Sequence, residues 1–304
     1  MKRILVIGRN GQVGYELSRR LASLGEVVAV GRERIDLSDP DSIRRVLRDI
    51  QPALIVNGGA YTAVDKAEHE EALAMAVNGT APGILAEEGK RIGAPLIHYS
   101  TDYVFDGSKS APYTEDDAPH PINVYGRSKL EGERAIQAIG CNYLILRTSW
   151  VYAPRGGNFM LTILRLAKER RELKVVDDQW GAPTSSAFLA TNTATILRKL
   201  EFGGEMFNES ISEASGIYHL TAAGKTTWFG FASAILAKAS KVGKIDERFF
   251  IENPAVVKPI PSEEYPLPTP RPRNSVMANE KVQSRFSLVA ENWESVLADC
   301  LAGN

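Results

Sequence analysis

The chain has 304 residues, of which 44% are hydrophobic and 24% charged, as is usual for a globular protein with a nucleotide-binding domain and a smaller companion. A formal net charge of -1 excludes a general attraction to nucleic acid or to an anionic membrane. The two cysteines, Cys141 and Cys300, exclude a disulfide framework, and the four histidines are scattered without metal-ligand spacing.

The first half of the chain alternates short β-branched runs with helical patterns, which indicates βαβ units. Arg3–Ile7 is a continuous apolar run, suited to a strand buried on both faces. Further strands are predicted at residues 26–30, 53–56, 95–99 and 143–148, and helices at 14–24, 41–50, 68–92 and 129–139. This alternation predicts an α/β fold with a Rossmann-type, doubly wound parallel sheet.

The second half is less regular. Helices are predicted at residues 159–170, 185–200 and 227–239, and an extended segment at 173–176. Residues 253–274 are rich in proline, which predicts an ordered loop because proline lacks the N–H that ladders and helices use. We expect residues 1–147 to form the NAD(P)-binding domain, joined by parts of 165–205 and 240–260. The remainder of 148–304 would form a smaller C-terminal α/β substrate-binding lobe over the strand ends.

A glycine motif, G-x-x-G-x-x-G, lies between the first predicted strand and the first predicted helix. Glycines there allow a tight turn and let backbone amides approach a pyrophosphate, which the helix N-terminus also attracts. Asn10 stands where the usual dinucleotide fingerprint has glycine, which favours the short-chain dehydrogenase/reductase type. The residues predicted to bind the cofactor here are Gly8, Asn10, Gly11, Gln12, Val13 and Gly14.

The end of the second predicted strand bears on the choice between NADPH and NADH. The acid that usually holds a ribose hydroxyl is missing at its expected place in the sequence Val-Gly-Arg-Glu-Arg of residues 30–34. Arg32 is placed to face a 2′-phosphate, and Arg9 in the glycine turn would add a second charge. We therefore favour NADPH, with NADH as the alternative, and expect Asp36 and Leu37 to contact the adenine.

Tyr125 and Lys129 form a Y-x-x-x-K pattern at the start of a predicted helix, so both side chains lie on one helical face. A nearby cation stabilises phenolate and lowers the pKa of a tyrosine, which eases proton transfer near neutral pH. Thr101 follows the predicted strand 95–99, and its hydroxyl would bond the carbonyl oxygen that Tyr125 protonates. Together these three residues predict the catalytic group of a carbonyl reductase.

Longer stretches add a resemblance that covers nearly the whole chain. They are GRNGQVGYEL (8–17), YTAVDKAE (61–68), HYSTDYVFDG (98–107), NVYGRSKLEGE (123–133), LRTSWVYAPRGGNF (146–159), DDQWGAPTS (177–185), YHLTAAGKTTW (218–228) and RPRNS (271–275). In these stretches the chain resembles the family of dTDP-4-dehydrorhamnose reductases, within the extended short-chain dehydrogenases/reductases. The resemblance implies hydride transfer from NAD(P)H to C4 of dTDP-4-dehydro-β-L-rhamnose, the last step of dTDP-L-rhamnose synthesis.

The resemblance also implies roles for single residues. Tyr125 would be the general acid, Lys129 its partner and a ribose ligand, and Thr101 the donor to the carbonyl. Further cofactor contacts are expected at Ala60, Tyr61, Thr62 and Tyr103. Substrate-side positions, with Gln179 as a weaker one, are expected at Asp102, Trp150, Asn158 and Arg273.

Some family members form a magnesium-bridged dimer through acidic residues. Glu16 and Glu294 match two of those places, but Ala187 stands where another carboxylate is found, which argues against a metal-linked dimer. A monomer and a homodimer both stay open. The family usually has alanines where this chain has Gly58 and Gly59, a change that loosens the backbone without removing function.

Three rival functions remain. A nucleotide-sugar dehydratase needs an Asp-Glu pair after the threonine, but Tyr103 follows Asp102 here. An epimerase agrees less well with stretches 146–159 and 177–185. A non-catalytic NADP-binding regulatory subunit, as of methionine adenosyltransferase, is the alternative outside the enzymes.

The N-terminus lacks the apolar core of a signal peptide, and no run reaches the roughly 20 apolar residues of a membrane span. We therefore expect a cytoplasmic protein.

Overall fold

The computed structural model describes residues 1–245, 249 and 256–303. Its centre is a six-stranded parallel sheet of β1 (Arg3–Ile7), β2 (Glu26–Val30), β3 (Leu54–Asn57), β4 (Leu96–Thr101), β5 (Tyr143–Thr148) and β10 (Gly216–His219). The strand order across the sheet is β10-β5-β4-β3-β1-β2. The chain runs outward from β1 to β2 and then crosses back to β3. The topological switch point, where such sheets bind ligands, therefore lies between β1 and β3.

Helices cover both faces of the sheet, as its continuous apolar strands require. In β1, Ile4 and Val6 face one core and Leu5 and Ile7 the other. The helices of this layered part are α1 (Gln12–Arg20), α2 (Pro40–Ile50), α3 (Val64–Ala67), α4 (Glu71–Met75), α5 (Ala81–Ile92), α6 (Val124–Ile139) and α8 (Ser186–Lys199). A π-helical turn at Ala76–Thr80 joins α4 to α5. The expectation of an α/β doubly wound sheet is therefore confirmed.

The rest of the chain forms short strand pairs and helices that continue one of the two cores. The strand pairs are β6 (Val151–Tyr152) with β9 (Thr184–Ser185), β7 (Leu173–Val176) with β12 (Val257–Ile260), and β8 (Trp180–Gly181) with β11 (Thr226–Thr227). The helices are α7 (Phe159–Glu169), α9 (Phe207–Glu213), α10 (Trp228–Lys241), α11 (Glu280–Phe286) and α12 (Trp293–Ala302). Short 3-10 turns lie at Leu21–Ser23, Asp102–Val104 and Ser262–Glu264.

Most predicted elements agree with the structure to within a few residues, and β1, β2, β5 and β7 agree fully. The loop predicted for residues 253–274 is wrong in part, because Val257–Ile260 is a strand and pairs in parallel with Leu173–Val176. Pro259 is tolerated there since a two-stranded sheet has a free edge for a residue without an N–H. Residues 253–255 of that prediction lie outside the described residues.

The boundary between the two predicted domains stays a prediction. Strand β10 comes from the second half of the chain yet pairs with β5, and α8 packs against α1. Part of the predicted segment 240–260 lies outside the described residues. Within the described part of the chain, no helix combines the length and the apolar character needed to cross a membrane.

Candidate active site

A cleft of about 1110 Å³ opens at the carboxyl ends of the central strands. It contains the switch point between β1 and β3, and the end of β4 and the start of α6 also line it. Most of the residues that the sequence predicts for cofactor, catalysis and substrate line this cleft. They are Gly8, Asn10, Gly11, Gln12, Val13, Arg32, Asp36, Leu37, Ala60, Tyr61, Thr62, Thr101, Asp102, Tyr103, Tyr125, Lys129 and Trp150.

The glycine turn forms a tight backbone cradle at the start of α1. Gly8 has a φ of +90°, and a Cβ atom built on Gly14 would lie 2.1 Å from the carbonyl oxygen of Gly8. A Cβ atom on Gly8 would lie 2.9 Å from the backbone nitrogen of Gly59. No side chain fits at Gly8 or Gly14, so the backbone stays open next to the helix N-terminus. This geometry fits a pyrophosphate group.

An acid that the sequence analysis missed lies next to the adenine end of the cleft, just after β2. Glu33 lies two residues beyond Gly31 and folds back, so that its Oε1 accepts a hydrogen bond from the Gly31 nitrogen at 3.1 Å. The same oxygen lies 3.0 Å from the guanidinium of Arg9. Arg9 is thus paired with a carboxylate, whereas Arg32 lines the cleft. Hydrogen bonds from Ser38 lower the pKa of the neighbouring Asp36.

The segment of residues 60–62 is clamped by a buried asparagine that the sequence analysis also missed. Asn78 accepts a hydrogen bond from the Tyr61 nitrogen and donates one to the Tyr61 oxygen, both at 2.9 Å. Its amide nitrogen is also 3.1 Å from the Ser128 hydroxyl of α6. The Tyr61 hydroxyl donates to Glu70 at 2.6 Å, and this bond raises the pKa of Tyr61 to about 12. Asn78 lies inside the π-helical turn, which the predicted helix over residues 68–92 does not reveal.

The Y-x-x-x-K pair lies in the first turns of α6, whose N-terminus is capped by Asn123. Burial raises the pKa of Tyr125 to about 12, and a hydrogen bond with Thr101 opposes that rise. Lys129 is 1% exposed, and burial lowers its pKa to about 8 against the opposing effect of Glu133. Both shifts favour the neutral forms, so the phenol keeps the proton that an acid must donate.

Thr101 and Asp102 form a buried pair at the end of β4. The Thr101 hydroxyl donates to Asp102 Oδ1 at 2.9 Å and accepts a bond from the Tyr103 nitrogen at 3.2 Å. Burial raises the pKa of Asp102 to about 6, while the hydrogen bond from Thr101 opposes the rise. Among the described residues no group bonds Asp102 Oδ2. That oxygen therefore has capacity for a ligand that enters the cleft.

Trp150 extends the cleft on the side of the second half of the chain. Its φ of +47° is unusual for a residue with a side chain. Its ring stacks on Trp228 with centroids 3.5 Å apart and an interplanar angle of 5°. A Cβ atom on Gly181 would lie 2.3 Å from the Trp150 ring, so only glycine fits beneath it. The ring is thus held rigidly at the cleft wall.

Three predicted substrate positions lie outside the cleft lining. Asn158 caps α7 and donates to Gln12 Oε1, Ala153 O and Arg155 O, at 2.8 to 3.1 Å. The Arg273 side chain is 74% exposed and lies 3.5 Å from Glu263. Gln179 donates to the Ser262 hydroxyl. The structure therefore does not bring these three together with the catalytic group.

The two candidate metal ligands are placed differently. Glu16 is buried in α1 with a guanidinium nitrogen of Arg19 at 3.8 Å, whereas Glu294 is exposed in the first turn of α12. Among the residues described, no group of three or more His, Cys, Asp or Glu side chains is arranged to hold a metal ion.

Comparison with known proteins agrees with this geometry. The family model for the RmlD substrate binding domain matches residues 1–304. A dTDP-4-dehydrorhamnose reductase of Burkholderia thailandensis is 46% identical, with 98% of each chain covered. Its counterpart in Escherichia coli K12 is 43% identical, with 96% of this chain and 94% of that one covered. The crystal structure of a Bacillus anthracis dTDP-4-dehydrorhamnose reductase in complex with NADP has a TM-score of 0.87 and 32% identity, with 100% and 99% covered.

Proposed function

Because this chain belongs to the family of dTDP-4-dehydrorhamnose reductases, we propose that Tyr125, Lys129 and Thr101 carry its carbonyl reduction in the cleft described above. The protein is an oxidoreductase that reduces dTDP-4-dehydro-β-L-rhamnose to dTDP-L-rhamnose with NAD(P)H. One observation carries the assignment of residues. The Tyr125 and Thr101 side chains and the glycine cradle open into the same cleft at the switch point of the sheet.

The residues at the cleft fit a nicotinamide dinucleotide. The glycine cradle would hold the pyrophosphate, and Arg32 would hold a 2′-phosphate of NADPH. Asp36 and Leu37 would lie along the adenine, and the clamped segment 60–62 along the ribose and nicotinamide. NADPH is the cofactor we propose, with NADH as the alternative.

The bound cofactor supplies the hydride that reduces C4 of the sugar. Tyr125 donates the phenolic proton to the C4 carbonyl oxygen as that oxygen gains charge, so the ketone becomes an alcohol and the tyrosine a phenolate. Thr101 donates a hydrogen bond to the same oxygen, for which its hydroxyl turns away from Asp102. Lys129 stabilises the phenolate with its positive charge, and a proton from solvent restores the phenol.

On the substrate side, we propose contacts from Asp102 and Trp150. Asp102 Oδ2 is an unpaired acceptor for a sugar hydroxyl, and the fixed Trp150 ring offers a flat apolar wall. Asn158 would act indirectly, since it holds the chain at Ala153 and Arg155 beside the cleft. A role of Arg273 at the diphosphate stays a prediction.

The rival functions are less well supported. A dehydratase needs an acid after Asp102, but that place holds Tyr103, whose ring packs edge-on against Tyr125 at 5.4 Å. A regulatory NADP-binding subunit would not need Asp102 and Thr101 to be buried as a bonded pair at the end of β4. A cytoplasmic location, a monomeric or homodimeric state and a magnesium site at Glu16 and Glu294 all stay predictions.

The test is the oxidation of NADPH, followed by its absorbance, with dTDP-6-deoxy-L-lyxo-4-hexulose as substrate. Replacing Tyr125 with Phe removes the acid and should lower kcat by about 10²- to 10⁴-fold, while the binding of NADPH stays within about twofold. The control is Tyr143→Phe, a change of the same kind at a tyrosine outside the cleft lining. Absence of turnover by folded wild-type protein that binds NADPH would contradict the reductase function.

A further inference from the structure

An arginine from the second half of the chain lies next to the glycine cradle. Arg155 belongs to the loop that follows β6 and leads into α7. It lines the same cleft as Gly11 and Gln12 at the start of α1. Its guanidinium carbon lies 3.6 Å from the centroid of the Tyr15 ring, about one turn further along that helix. A cationic group therefore stands beside the open backbone of the cradle.

The loop that carries Arg155 is tied to the first residue of α1. Asn158 Nδ2 donates to the Arg155 backbone oxygen at 3.1 Å and to Gln12 Oε1, also at 3.1 Å. Gly156 has a φ of +71°, and a Cβ atom built on it would lie 3.5 Å from Gln12 Cγ. The backbone next to Arg155 thus stays close to the helix N-terminus, which fixes the region that its side chain can reach.

The Tyr15 ring orients the guanidinium without using its hydrogen-bond donors. A guanidinium carries its five N–H groups in one plane. A distance of 3.6 Å to the ring centroid places that plane over the ring face, so its edge stays available for an anion. The ring is 38% exposed and therefore forms a platform at the rim of the cleft, not a part of the core.

The charge of Arg155 is left for a ligand. In the part of the chain that the structure describes, no carboxylate forms an ion pair with it. Arg9, the arginine within the glycine turn, is by contrast paired with Glu33 at 3.0 Å. Arg32 lines the cleft just after β2, where it is placed for a 2′-phosphate and not for the pyrophosphate. The cradle offers backbone amides, and Arg155 adds the full positive charge that a pyrophosphate attracts.

We infer that Arg155 binds the pyrophosphate of the nicotinamide cofactor and that Tyr15 holds the guanidinium ready for it. The planar fork of donors matches two phosphate oxygens at once, which a lysine ammonium does not. The sugar nucleotide also carries a diphosphate, but the attachment of the loop to the start of α1 favours the cofactor. The inference rests on the proposed place of the cofactor at the glycine cradle, and it does not depend on the reductase reaction.

The test is the affinity of Arg155→Met for three ligands in the absence of turnover. NADPH and NADH are titrated separately by fluorescence, and dTDP by calorimetry. Methionine keeps part of the apolar stem and removes the charged fork, so Kd should rise by about 5- to 20-fold for both coenzymes. The two should weaken equally because they share the pyrophosphate, whereas the Kd for dTDP should stay within about twofold. Arg155→Lys keeps the charge without the fork and should recover only part of the loss.

The matched control is Arg19→Met. Arg19 also approaches the Tyr15 ring, with its guanidinium carbon 5.8 Å from the centroid, but it does not line the cleft. This variant removes the same charge from the same region and should leave both coenzyme Kd values within about twofold. Tyr15→Leu removes the platform alone and should raise both values by about 2- to 5-fold.

Four results would overturn the inference, each in variants that circular dichroism shows to be folded. The first is an unchanged coenzyme affinity in Arg155→Met. A loss for NADPH alone would place Arg155 at the 2′-phosphate, and a loss for dTDP alone would place it at the substrate diphosphate. An equal loss in Arg19→Met would reduce the effect to general charge. Wild-type protein that binds both coenzymes without reducing the sugar would contradict the reductase function and leave this inference standing.

Discussion

The helix that carries Tyr125 and Lys129 is tied to the sheet by a buried ion pair that can be tested directly. Arg147 of β5 donates through Nε to Glu133 Oε1 at 2.9 Å and through Nη2 to Oε2 at 2.6 Å. The Ser100 hydroxyl donates to the same Glu133 Oε1 at 2.5 Å. Arg147 and Glu133 are 2% and 1% exposed, so neither would regain water if its partner were removed.

The expected magnitude follows from this burial. Removing one partner of a buried pair leaves an uncompensated charge and costs about 3–5 kcal/mol. The expected free energy of unfolding of a whole domain is about 5–15 kcal/mol, so Arg147→Met would remove a large part of it. Replacing both partners, as in Arg147→Met with Glu133→Leu, leaves no buried charge and should cost much less than the sum of the two single changes.

Urea unfolding of the wild type, the two single variants and the double variant completes the cycle. We expect a coupling free energy of at least about 2 kcal/mol. The Glu133→Leu variant adds a second readout, because loss of its carboxylate should lower the pKa of Lys129 further. If each single change costs less than about 1 kcal/mol, or if the costs add in the double variant, the reasoning from burial is wrong.

Three further predictions concern the cleft. Asp102→Asn should stabilise the protein at pH 7 by up to about 3 kcal/mol while it lowers kcat. The folded-state pKa of Asp102, about 6, lies above its ordinary value, so the fold favours the protonated carboxyl. The stability that this carboxyl contributes is present below about pH 4 and is lost as the pH rises through 6. The gain of the variant in free energy of unfolding, measured with urea, should therefore vanish at low pH. Gly14→Ala should abolish binding of NADPH in a fluorescence titration, because its Cβ would meet the Gly8 oxygen at 2.1 Å. Glu33→Gln should free Arg9 for a 2′-phosphate and lower KM for NADPH relative to NADH.

The sequence predicted the sheet well because its strands are continuous apolar runs separated by amphipathic helices. It predicted the catalytic group because the Y-x-x-x-K spacing and the strand-end threonine are local patterns. The proline-rich segment was harder, since the pairing of Val257–Ile260 with a strand more than eighty residues earlier leaves no local mark. Glu33 was not predicted because the acid is expected at the end of the second strand, whereas the Glu33 side chain folds back from the turn that follows it.

The buried polar residues were the least predictable part of the site. Ser100, Glu133 and Arg147 read as ordinary positions in strands and a helix, and no local spacing sets them apart. They come from β4, α6 and β5, and the register that places Ser100 opposite Arg147 decides that they meet. A sequence pattern can therefore identify the groups that touch the substrate more readily than the groups that set their charge.

The surroundings of Lys129 act on its charge in two opposing directions. Burial favours the neutral amine, whereas Glu133 favours the ammonium. Before the reaction Tyr125 must keep its proton until the carbonyl accepts it, and a less strongly charged neighbour favours that form. Once Tyr125 has become a phenolate, a charged lysine stabilises it. A lysine with a pKa of about 8 can supply both states near neutral pH, which a fully exposed lysine with a pKa of about 10.4 could not.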